Sequence, residues 1–121
     1  MSIPGITAIR GAIAPVDNSR MGIAKAARTI FTAVVEANGL TEADLIALIF
    51  TATQDLTRAY PAQGVRQLGY NQLPMLCLTE MAVEESLPHT LRIMILTQNR
   101  LDCPRHIYLD EAQQLRPDWR S

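Results

Sequence analysis

The sequence predicts one small α/β (α+β) domain, a mixed β-sheet packed with one long and one short helix. Short apolar runs bounded by turn residues alternate with a single long stretch at helical spacing. Hydrophobic residues make up 48% of the chain but aromatic ones only 5%, so the core is built from Ile, Leu, Val, Ala and Met. Domains of about 100–150 residues hold one core, so residues 1–121 are read as a single domain.

Ile3 to Ile13 reads as a strand, apolar except at Thr7 and Arg10, and Ala14-Pro15 ends it by removing a ladder donor. Asp17, Asn18 and Ser19 then offer capping oxygens. From Met21 to Asn38 the residues Ile23, Ala27, Ile30, Phe31, Val34 and Val35 recur at three- and four-residue spacing, which lays one stripe along a helix. Asn38-Gly39 stops it. Thr41–Asp44 forms a capped turn into Leu45–Ala52, a continuous apolar run that reads as a strand buried on both faces. After the turn at Thr53–Asp55, Pro61 opens a short helix that reaches Leu68, with Gly69 beyond it and Arg66 on it. Pro74–Thr79, Leu91–Gln98 and His106–Leu109 are the remaining strands, and Asp110–Ser121 is a polar tail. A sheet in so short a chain leaves one face and its edges uncovered, which predicts association with identical subunits.

Composition excludes several classes of function. A net charge of −1 supplies no field for nucleic acid. No segment approaches the roughly 20 apolar residues of a membrane span, nor does the N-terminus carry a secretory pattern, so neither a membrane nor export is expected and the cytoplasm is. Cys77 and Cys103 form no metal-ligand spacing and no disulfide framework. With no Gly-rich phosphate loop, no H-E-x-x-H and no G-x-S-x-G, no cofactor, metal or serine nucleophile is expected. Ten of the eleven basic residues are Arg, which suits carboxylate binding through paired hydrogen bonds; a GC-rich genome produces the same bias.

Arg10, Glu80 and Arg92 fall in or beside apolar strand segments. An unpaired buried charge costs several kcal/mol, so each must be paired, exposed or held for a ligand. A strand arginine usually points to solvent, and Glu80 with Arg92 can be an interior ion pair. Adding Arg10 and Arg66 gives net positive charge, which a dianionic ligand would neutralise. Cys77 alone reads as a small buried hydrophobe and Tyr108 as a core or interface aromatic. His89 and His106 have no partner at catalytic or metal spacing and read as structural or exposed.

The residues that carry a family resemblance run through most of the chain. They are Ile9-Arg10-Gly11-Ala12, Thr51–Leu56, Tyr60-Pro61-Ala62, Val65-Arg66, Cys77–Met81, Leu91–Met94, Arg105–Leu109 and Leu115–Asp118. In this ordered set the chain resembles the small trimeric class of chorismate mutase. The resemblance implies a homotrimer forming a pseudo-α/β barrel, with chorismate bound in clefts between subunits. It implies that Arg10, Cys77, Glu80, Arg92 and Tyr108 line one side of a cleft, while Tyr60, Arg66 and Leu115 come from the adjacent subunit. Gln63 stands where a lysine is common, and Leu76 where a small hydroxyl residue is common. A regular strand puts Cys77 and Glu80 on opposite faces, so both line one site only if the strand ends or bulges between them.

The implied reaction breaks a carbon–oxygen bond as a carbon–carbon bond forms, without proton transfer or a covalent intermediate. Such chemistry needs positioning and fixed charge rather than a nucleophile. Arg92 would then donate to the ether oxygen, Glu80 would accept from the ring hydroxyl, Arg10 and Tyr108 would hold the side-chain carboxylate, and Arg66 the ring carboxylate. Two other readings are open: a trimeric hydrolase like the reactive-enamine deaminases, and a non-catalytic trimer that binds a metabolite.

Overall fold

A computed structural model describes residues 4–117, with the backbone alone at Pro4. In chain order it holds β1 (Pro4–Ala14), α1 (Arg20–Ala37), β2 (Leu45–Ala52), α2 (Ala62–Arg66), β3 (Met75–Thr79), β4 (Leu91–Asn99) and β5 (Ile107–Asp110). Two 3₁₀ turns, Glu42–Asp44 and Glu111–Gln114, precede β2 and follow β5. Ile3, expected to open the first strand, lies outside the described residues, as does Asp118.

The strands form one five-stranded mixed sheet in the order β3-β2-β4-β1-β5. β4 runs antiparallel to both β1 and β2, while β2 with β3 and β1 with β5 are parallel. α1 covers one face because its apolar stripe matches that face of the sheet. Ile23, Ala27, Ile30, Phe31 and Val34 pack with Ile9, Leu48, Phe50, Ile93 and Ile95 in a single buried cluster. Removing a ring such as Phe31 from this layer would cost about 3–5 kcal/mol through lost burial and the cavity left behind.

Two glycines set how closely the layers approach. A Cβ on Gly11 would lie 2.9 Å from Val34 Cγ2, and one on Gly64 would lie 2.4 Å from the Ala24 carbonyl oxygen. Gly11 therefore seats α1 on β1, and Gly64 seats α2 on α1. The start of α1 is fixed by Ser19, whose Oγ accepts the Gly22 N–H at 2.9 Å as the N-cap.

Two expectations need correction. β2 is not buried on both faces: Leu48 and Phe50 are buried, whereas Ala47, Ile49 and Thr51 are only half-buried. The reason is architectural, because both helices lie on one side and, over β2, the described residues give the second face little cover. Nor is the stretch after β5 simply a polar tail. Ala112 is buried and Leu115 packs with it against Ala12, Ala14 and Tyr108, forming a small second cluster on the open face. Among the described residues no helix is long and apolar enough to cross a membrane.

Candidate active site

Strand register gathers the predicted charges on the open face. Leu78, Thr51, Arg92, Ala12 and Tyr108 form one cross-strand row, paired in turn across all five strands. Leu76, Ile49, Met94 and Arg10 form the next row on the same face. Arg10 is therefore a diagonal neighbour of Arg92, at a spacing of roughly 7–8 Å between backbones. Ala12 and Ala14 are small, which leaves room above β1 for Tyr108 and Leu115.

Glu80 joins this group just past the end of β3. Its N–H donates to the Ala52 carbonyl at 2.8 Å, which continues the β2–β3 ladder and turns its side chain toward Arg92. Arg92 Nε meets Glu80 Oε1 in an ion pair, with side chains 29% and 16% exposed respectively. The Nε–H is not aligned on the carboxylate as a hydrogen bond, and this buried nitrogen has no other partner among the described residues.

The loop ends around Glu80 are tied together by Thr53 and Asp55. Thr53 Oγ1 donates to Asp55 Oδ1 at 2.5 Å and accepts the Thr90 N–H at 3.0 Å, while the His89 N–H donates to both Asp55 oxygens, at 3.2 and 3.0 Å. Burial opposes ionisation of Asp55, but the Thr53 hydroxyl, the His89 N–H and the His89 ring outweigh it and lower its pKa below 3.8. A recess of about 250 Å³ opens beside Glu80, between Thr53, Met81 and Leu87.

At the ends of β2 and β3 lies a larger cleft of about 610 Å³, lined by Tyr60, Gln63, Cys77, Leu78, Arg20 and Arg58 among others. Cys77 pairs with Phe50 and packs against the helix-side core, so the strand does not bulge to bring it to Glu80. It lines the Tyr60 cleft, which adjoins the Glu80 recess at Thr53 and Gln54. Within its own chain Leu115 packs against the Tyr108 cluster on the open face. Arg66 is exposed at the last position of α2 and stands outside the cleft lining. Tyr108 is only 1% exposed beneath Ala112 and Leu115, so a ligand reaching its hydroxyl must pass that cover.

Sequence reasoning missed three participants. His106, read as structural or exposed, accepts the Arg10 backbone N–H on Nδ1 at 3.0 Å. Burial, followed by the charges of Arg10 and Arg116, lowers its pKa below 6.5. Arg20 and Arg58 stand in the helix-side cleft, where no motif pointed to them. Cys77 and Cys103 are free thiols, and no group of three His, Cys, Asp or Glu side chains among the described residues could hold a metal ion.

This arrangement offers cations, the carboxylates of Glu80 and Asp55, and apolar walls. Residues 6–119 match the family "Chorismate mutase type I". The chain belongs to this family. The mutase is 41% identical over 119 residues to the chorismate mutase AroH of Thermus thermophilus, spanning 96% of this chain and 98% of that protein. It is 32% identical over 116 residues to the chorismate mutase AroH of Bacillus subtilis, spanning 93% and 91%. A solved chorismate mutase from Clostridium thermocellum superposes with a TM-score of 0.86 at 34% identity, over 89% of this chain and 98% of the other. The reaction of the mutase is the isomerisation of chorismate to prephenate in aromatic amino acid biosynthesis, and the hydrolase reading is set aside.

Proposed function

We propose that the mutase works as a homotrimer, in which the Arg92 side of one copy and the Tyr60 side of the next close around one chorismate. The observation that carries this reading is the division of the candidate residues between two faces of one sheet. Arg10, Glu80, Arg92, Tyr108 and Leu115 belong to the open face, while Tyr60, Cys77 and α2 with Arg66 belong to the helix side. A second copy that lays its Tyr60 side over this open face would bring the two halves around one small dicarboxylate. The open face also carries Leu76 and Leu78 at 60% and 50% exposure, apolar surface of the kind that association covers. A closed ring of three such sheets gives the barrel-like centre implied by the resemblance.

Within such a site the roles follow from charge. Arg10 and Tyr108 hold the side-chain carboxylate, and Arg66 approaches the ring carboxylate from the neighbouring copy. Arg92 donates to the ether oxygen as negative charge grows there, and Glu80 accepts from the ring hydroxyl while stabilising the electron-poor ring. Tyr60, Cys77 and Leu115 supply walls that keep the enolpyruvyl arm folded over the ring. Even a 10⁶-fold acceleration, modest for an enzyme, asks these effects for about 8 kcal/mol together. The two free thiols support a cytoplasmic setting, where cysteines stay reduced. Light scattering combined with loss of chorismate absorbance tests the reading: a trimer that forms prephenate is expected, and a fully active monomer would end it.

A further inference from the structure

The helix-side cleft holds two cations for which the reaction scheme above has no use. Arg58 and Arg20 both line it beside Tyr60, Gln63 and Cys77, and no Asp or Glu lines it with them. Neither guanidinium forms a salt bridge among the described residues. Their meeting is built by Asn18. Its Oδ1 accepts the N–H groups of Thr57 at 2.9 Å and Arg58 at 3.3 Å, and its Nδ2 donates to Thr57 Oγ1 at 3.1 Å. Asn18 precedes the Ser19 cap of α1, so this clamp ties the loop carrying Arg58 to the start of the helix that carries Arg20. The amino end of an 18-residue helix adds positive potential at the same place.

We propose that Arg58, with Arg20 beside it, is a further cation for the ring carboxylate of chorismate, drawing it into the Tyr60 cleft in addition to the approach of Arg66 from outside the lining. Gln63 in the same lining is uncharged, and Arg66 lies outside the lining, so Arg58 and Arg20 are the cations that the lining itself presents beside Tyr60. Both arginines are exposed in the single chain, and their attraction for a dianion acts over about a Debye length, some 8–10 Å at ordinary salt. Capture of this kind depends on charge rather than on fork geometry, and it acts equally on substrate and transition state. It therefore appears in KM and not in kcat. The inference rests on the inter-copy site proposed above.

The test compares Arg58→Gln, Arg58→Lys and Arg100→Gln in chorismate turnover at low and high salt. Arg100 is a fair control for net charge: it follows β4 at the end opposite Arg92, on the order of 25 Å away along the strand. Loss of one exposed charge contact worth about 1 kcal/mol predicts a KM about five-fold higher in Arg58→Gln, with kcat held. The salt dependence of kcat/KM should flatten in the same variant. Arg58→Lys should recover most of the loss, and Arg100→Gln should behave as wild type. An unchanged KM and salt slope in Arg58→Gln, an effect confined to kcat, or an equal effect of Arg100→Gln would each overturn the proposal. A wild-type protein that leaves chorismate untouched would instead overturn the reading on which it rests, so the two failures are distinguishable.

Discussion

Arg92 lies between the uncharged Thr51 and Ala12 in its cross-strand row and forms its ion pair with Glu80. Its guanidinium is held beside Glu80 in a partly buried position, where a fixed cation can meet an oxygen that becomes negative only as the ether bond breaks. Arg92→Lys keeps one charge but loses the planar fork. We expect kcat to fall by about 10²–10³-fold, as when one preorganised donor is removed, with a much smaller rise in KM. Were the pair purely structural, the same variant would melt earlier and turn over normally, so thermal stability and both constants measured on one preparation separate the cases. His106 makes a different prediction, about stability. Its folded pKa lies below 6.5, so its contribution is present above pH 6.5 and is lost as pH falls through the folded value. Asp44, lowered by the Thr41 backbone and hydroxyl, and Asp55 add stability present above pH 3.8 that is lost further into acid. The melting temperature should therefore fall in two stages on acidification, and His106→Asn should remove the upper one while keeping an acceptor for Arg10; an unchanged upper stage would contradict this. Arg92 and Glu80 were legible in the sequence because charge among apolar strand residues stands out. His106 was not, since its partner is a backbone N–H that only strand register brings near.

The elements were legible where local chemistry marks their ends. The Ser19 cap, the Asn38-Gly39 stop and Pro61 at the start of α2 each act within a few residues, and the structure places α1 and α2 where those signals put them. The two faces were not legible, because an apolar run such as Leu45–Ala52 looks alike whether its second side meets a helix, another subunit or water. The turn after β5 was missed for a related reason: Ala112 and Leu115 are two apolar residues in a polar stretch, and their value depends on Tyr108 lying beneath them. Ending the chain at Asp110 should thus uncover Tyr108, lowering the melting temperature as well as raising KM. Retention of wild-type KM by the shortened chain would show that Leu115 has no part in the site. Asn18 was read only as a capping residue, whereas it holds the Thr57–Arg58 loop through three hydrogen bonds. Asn18→Ala should cost about 1 kcal/mol, since exposed hydrogen bonds contribute little each. It should also raise KM by freeing Arg58, and a variant with normal KM would show that the loop holds its place unaided.

At the scale of the whole molecule, the sheet separates the candidate residues into a half on its open face and a half on its helix side. In the ring of three identical chains proposed above, each open-face half would meet the helix-side half of a neighbour, so that every site would draw on two copies. Two crippled variants can expose this arrangement. The first carries Arg92→Ala and lacks a working open-face half; the second carries Tyr60→Ala with Arg66→Ala and lacks a working helix-side half. Each alone should be nearly inactive. When they are unfolded together in equal amounts and refolded, a site is intact only if its open-face half comes from the second variant and its helix-side half from the first. For random assembly the chance of that pairing is one half times one half, so about a quarter of wild-type activity should return. Sites contained within single chains would give no recovery at any mixing ratio, because every chain carries one damaged half. Activity measured across mixing ratios should peak at equal amounts and vanish at either end, and a flat, inactive profile from correctly assembled mixtures would exclude the shared site.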